Sequence, residues 1–179
     1  MACITKLASA IAYDCDSGST GLVSALIINK ADIAGFSLES GTMTVSGVTL
    51  VPGANAYKID TFKRSLVLST ALKVNEGAPN ANTHSATLVY TGILDAAGRK
   101  LVTALTNGSF VIAAKTATLA APRVYGLYYG LSATAIDNNS HENGNWTTFT
   151  LETPENVIGE DSVAMTVADY DTLYNAAVG

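Results

Sequence analysis

The sequence predicts a mainly β protein whose sheets build a sandwich or barrel, flanked by one α-helix and carrying a long hairpin loop. Three observations point there. β-branched and aromatic residues recur in short runs, Gly and Pro-Gly steps punctuate those runs, and a single stretch shows helical periodicity.

Taken in order, Gly21 to Ile33 (GLVSALIINKADI) reads as a strand or short buried element. Thr42-Met43-Thr44-Val45-Ser46 and Val48-Thr49-Leu50-Val51 are β-branched enough for strands, with Gly41 and Gly47 as punctuation, and Pro52-Gly53-Ala54-Asn55 is a turn. Tyr57 to Val74 and Ser85 to Leu94 form a hairpin across the polar run Asn75 to His84, a loop longer than the usual two to five residues. Leu66-Val67-Leu68 is apolar on both faces of that hairpin, so a strand there is covered on two sides.

Asp95 to Gly108 predicts the helix. Asp95 supplies an N-cap, Ala97, Leu101, Ala104 and Leu105 fall on one face, and Asn107-Gly108 tolerates the left-handed stop. Gly98 costs it about 1 kcal/mol relative to alanine, so it depends on packing against a sheet. Ser109 to Lys115, Arg123 to Ala133 and Asn145 to Glu152 read as further strands. In the second, period two places Tyr125, Leu127, Tyr129 and Leu131 on one face and Gly126, Tyr128 and Gly130 on the other. The polar run Asp137 to Gly144 joins the last two strands, and Val167 to Tyr174 is helix-like.

The 179 residues fit one domain, 1–179, with 1–20 as an N-terminal arm and 155–179 as a C-terminal extension. Only 14% of residues are charged, against 48% hydrophobic, which favours burying surface against further copies of the chain. Charge is also unevenly placed. Residues 1–123 hold ten bases and seven acids, whereas 124–179 hold eight acids and no base, an asymmetry suited to head-to-tail contacts between identical subunits. A net charge of −5 argues against tight phosphate binding. No apolar run is long enough for a membrane helix, and Leu7 to Ala12 is too short for a secretion signal.

Catalysis is not expected. His84 and His141 both fall in polar loops without a nucleophile and acid at recognisable spacing, and Ser17-Gly18-Ser19-Thr20-Gly21 lacks the first glycine of a nucleophile elbow. Asp137 to Glu142 lacks the fixed spacing of a calcium loop, and no phosphate loop or dinucleotide fingerprint occurs, so no metal or cofactor is expected. Cys3 and Cys15 read as free thiols. The aromatic group Tyr125, Tyr128, Tyr129 and Trp146 fits a sheet core or an interface better than a sugar or base platform. Leu66, Val67 and Leu68, together with Tyr125 and Tyr128, are therefore the candidate subunit-interface residues.

From about Tyr57 to Leu151 the order of elements resembles the tail tube proteins of long-tailed, siphovirus-like bacteriophages. The carrying segments are LVTALTNGSFVIAAK (Leu101 to Lys115), where a short helix ending in Asn-Gly feeds an apolar strand, and YGLYYGLSAT (Tyr125 to Thr134), with WTTFTL (Trp146 to Leu151) as the next strand. The resemblance implies a virion structural protein assembled in the host cytoplasm. Hexameric rings, their inner strands joined into one closed barrel, would stack into a tube through which DNA passes without specific binding. Other tail proteins, such as the tape measure and tail terminator, would be its partners. A head decoration protein or a fimbrial shaft subunit is the alternative within the same structural class.

Overall fold

In the computed structural model, which describes residues 21–59, 65–90, 96–117, 121–138 and 146–179, two strands bury both of their faces. They are β1 (Leu22–Asn29, LVSALIIN) and β7 (Ser109–Thr116, SFVIAAKT), paired antiparallel. Continuous apolar runs suit this position because neither side meets water. Phe110, Ile112 and Ala114 of β7 and Ala25 of β1 face one core. Val111 and Ala113, with Leu26 and Ile28, face a second. The pair is thus a wall shared by two cores.

The sheet divides at β7. Its N-terminal end pairs with β9 (Leu131–Asn138), which continues through β10 (Thr147–Glu152) and β6 (Ala81–Tyr90) to β5 (Leu66–Lys73). Ile112 to Ala114 pair with β8 (Arg123–Tyr125), followed by β11 (Val163–Met165), β3 (Thr44–Leu50) and β2 (Ile33–Leu38). β4 (Tyr57–Ile59) lies on the far side of β1. These 11 strands form one mixed sheet, which is not a closed barrel, and strand accounts for 52% of the described residues against 18% helix. The mainly β expectation holds, and the helix-like end at Val167 to Tyr174 is a second α-helix.

Helix α1 (Ala96–Asn107) lies against β9, with Gly98 buried and Val102 and Leu105 packed on the first core. The expected face was Ala97, Leu101, Ala104 and Leu105, yet Leu101 is 45% exposed. Gly98 is instead the buried residue of the helix. Asp95, the expected cap, lies outside the described residues.

Residues 155–179, expected as an extension, fold into the molecule. They supply β11 and α2 (Val167–Ala176), whose Tyr170 is fully buried in the second core. Thr166 caps α2 by accepting from the Asp169 N–H at 3.2 Å while its hydroxyl bonds the Asp169 carboxylate. Tyr170 bonds Ser24 of β1 through its hydroxyl at 2.8 Å, and burial pushes its pKa up to about 12. Lys115 forms an ion pair with Asp171 at 3.0 Å. Beyond the helix, Val178 takes the outer edge of β4, accepting from the Lys58 N–H and donating to the Ala56 carbonyl.

Candidate functional site

Two features stand out: the free ends of the sheet, and a polar clamp at the point where its arms divide. Among the described residues β5 and β2 are the two strands at the ends of the main pairing path. β2 is short and broken by two register shifts, irregularities that discourage further pairing. β5 is different. It pairs with β6 over eight consecutive residues without a bulge, and its sequence LVLSTALK contains a single charge, Lys73, whose ammonium is held by the carbonyls of Glu155 and Val157. Val67 and Leu72 of this strand are 49% and 68% exposed, and Val74 just beyond its end is exposed too.

The candidate interface residues separate accordingly. Leu66 is buried and belongs to the first core, opposite Leu88. Val67 faces out, and Leu68 is half-buried. Tyr125 is buried against His84 and Tyr128 packs edge-on against Phe36 in the second core, so neither tyrosine belongs to an exposed aromatic face. The strand expected over Arg123 to Ala133 is interrupted. β8 ends at Tyr125, Gly126 and Gly130 adopt φ of 73° and 77°, and residues 126–130 form a turn from which β9 starts at Leu131. Left-handed glycines at both ends make the period-two pattern accidental.

This turn carries the chain from one arm of the sheet to the other, and its backbone is held by side chains from three directions. The Gly126 N–H donates to His84 Nδ1 at 3.1 Å. Lys30 Nζ donates to the Leu127 carbonyl at 2.7 Å, from a single 3-10 turn after β1. The N–H groups of Tyr128 and Tyr129 donate to the two Glu160 oxygens at 3.0 and 2.7 Å. Glu160 is fully buried and its own backbone bridges to Asn82 on β6 in both directions. Burial pushes its carboxyl up, opposed by the two N–H donors and by the nearby Lys30 charge. His84 is not in a polar loop as expected. β6 begins at Ala81, so His84 lies within the strand, 1% exposed, and burial lowers its pKa to about 4.

A groove of about 810 Å³ lies between α1 and strands β1, β4 and β6, with Leu101, Leu105, Ile59, Leu88 and Phe110 among its walls. The segments 60–64 and 91–95, which leave β4 and β6, lie outside the described residues. So do His141, Cys3 and Cys15. Among the described residues no three His, Cys, Asp or Glu side chains are grouped to hold a metal ion, and no helix is long and apolar enough to cross a membrane. The clamp was missed in the sequence because its members are far apart: His84, Lys30 and Glu160 share no motif, and only the fold assembles them.

Comparison with known proteins leaves the family open. No family model, curated protein or solved structure matches this chain.

Proposed function

We propose that this chain is a virion structural protein that assembles with copies of itself into hexameric rings, which stack into the tail tube of a long-tailed phage. The observation that carries the reading is the edge of β5, which has no strand neighbour beyond β6 among the described residues. Among the described residues this regular eight-residue strand has no partner on its outer side, its one charge is tethered, and Val67 and Leu72, on opposite faces, are both exposed apolar side chains. Monomeric proteins blunt such edges with lysines, prolines or bulges, because an open edge recruits another strand. Closing neighbouring subunits into a ring pairs that edge and leaves none to propagate. The low charge content and the ordered resemblance from Tyr57 to Leu151 support the same reading. The tube would conduct DNA without gripping it, meeting the tape measure and the tail terminator within the virion tail.

Negative-stain electron microscopy of the purified protein tests this directly. Tubes or rings with a central channel are expected. Monomers at every concentration would overturn it, and particles that decorate capsids without forming rings would favour the head-protein alternative.

A further inference from the structure

The clamp on residues 126–130 has a consequence independent of assembly. Four successive residues, Gly126 to Tyr129, have a backbone group held by a side chain, and the three holders come from β6, the 3-10 turn after β1, and the segment before β11. The turn is also the crossing between the arm ending in β5 and the arm ending in β2. It sets how the arms meet together with β7, which pairs with both.

One of the holders works only in one protonation state. An imidazole nitrogen accepts a hydrogen bond only when it carries no proton, so His84 must be neutral with its proton on Nε2. Protonation places an N–H against the Gly126 N–H, donor against donor, in a buried site. Among the described residues no acidic side chain is paired with the ring: its pKa is shifted by burial alone, it packs edge-on to Tyr125 at 5.2 Å, and the Thr153 hydroxyl bonds the His84 backbone. The remaining ionisable groups about the turn are Glu160, Lys30 and Asp161, with Tyr128 beside them. Glu160 keeps one acceptor oxygen when it takes up a proton, so its hold weakens without reversing.

We propose that the turn 126–130 is an acid-released latch: protonation of His84 detaches Gly126 and loosens the junction between the two arms while the shared β1–β7 wall stays paired. The wall resists because it is apolar and has no titrating group among its buried residues. The sign follows from the buried ring. His84 titrates near 4 when folded and near 6.5 when exposed, so its contribution is complete above pH 6.5, falls as the pH drops, and levels off below about 4. Glu160, pushed upward, acts in the opposite direction, losing stability as the pH rises above its ordinary 4.5. The latch must therefore be read locally, not from global stability.

The experiment is amide exchange and ring titration by NMR on the whole chain between pH 7 and 3.5. Protection of the Gly126 amide should fall at least tenfold with the midpoint of the His84 ring signal, while Leu26 and Ile112 in the wall keep theirs. A His84→Gln variant, whose amide oxygen accepts at any pH, should hold Gly126 protection constant. Different midpoints for the ring and the Gly126 amide, or loss of Gly126 protection only together with the wall, would overturn the latch even if the variant fails to fold.

Discussion

Gly126 and Gly53 share a backbone conformation and differ in everything around it. Gly126 has φ of 73°, and a Cβ there would lie 2.7 Å from Leu131 Cγ and 3.0 Å from the Phe110 carbonyl. Gly53 has φ of 86° and open space. Backbone strain of about 1 kcal/mol or somewhat more applies to alanine at either site, and overpacking adds about 1–3 kcal/mol at the first alone. Gly126→Ala should thus lower the denaturant midpoint clearly more than Gly53→Ala. Equal losses would mean that the turn yields to the added methyl group. Gly126 and Gly130 explain why the period-two pattern of this stretch does not make a strand. The alternation of Tyr125, Leu127, Tyr129 and Leu131 is a real pattern in the sequence, but period two describes side chains only if the backbone is extended, and glycine does not declare its φ. His84 differs for a related reason: its polar neighbours Asn82 and Thr83 suggest a loop, whereas the β6–β5 ladder continues through them.

Elements with a strong pattern were legible. The apolar run 109–115 is β7, the alternation in 147–152 is β10, and the only long periodic stretch is α1. What the pattern could not say was which side each element presents, since α1 packs Val102 and Leu105 on the core while Leu101 is exposed, and β7 serves two cores at once. β5 shows the same limit. Leu66-Val67-Leu68 reads as uniformly apolar, yet the ladder sends Leu66 inward and Val67 outward. That split gives a sharper test of the assembly reading. Val67→Lys places a charge on the outer side of an open edge, the device by which natural edges avoid pairing. It should yield a folded chain with an unchanged circular dichroism spectrum and thermal midpoint, sedimenting as a monomer. Leu66→Lys, buried opposite Leu88, should instead unfold or aggregate. Normal tube formation by the Val67 variant would remove β5 from any proposed interface.

At the scale of the whole molecule the charge division takes a different form from the one the sequence implies. Residues 1–123 carry ten bases against seven acids and 124–179 carry eight acids alone, but part of that complementarity is used within the protomer. Asp171 pairs with Lys115, and Glu160 is buried near Lys30. The folding of 155–179 onto β3, β4 and β8 explains this: the acidic segment returns to the basic body. Fewer charges are left to steer one subunit onto the next. Exposed pairs are each worth about 0–1 kcal/mol and are screened beyond about 8 Å at physiological salt, so what remains should act on the rate of assembly. Apolar contact and strand pairing along β5 would hold the finished polymer. Light scattering across a salt series separates the two contributions. A modest slowing of assembly at high salt is expected, with preformed polymers persisting. A rate that is flat or rises with salt would show that the acidic segment has spent its charge inside the protomer and steers nothing.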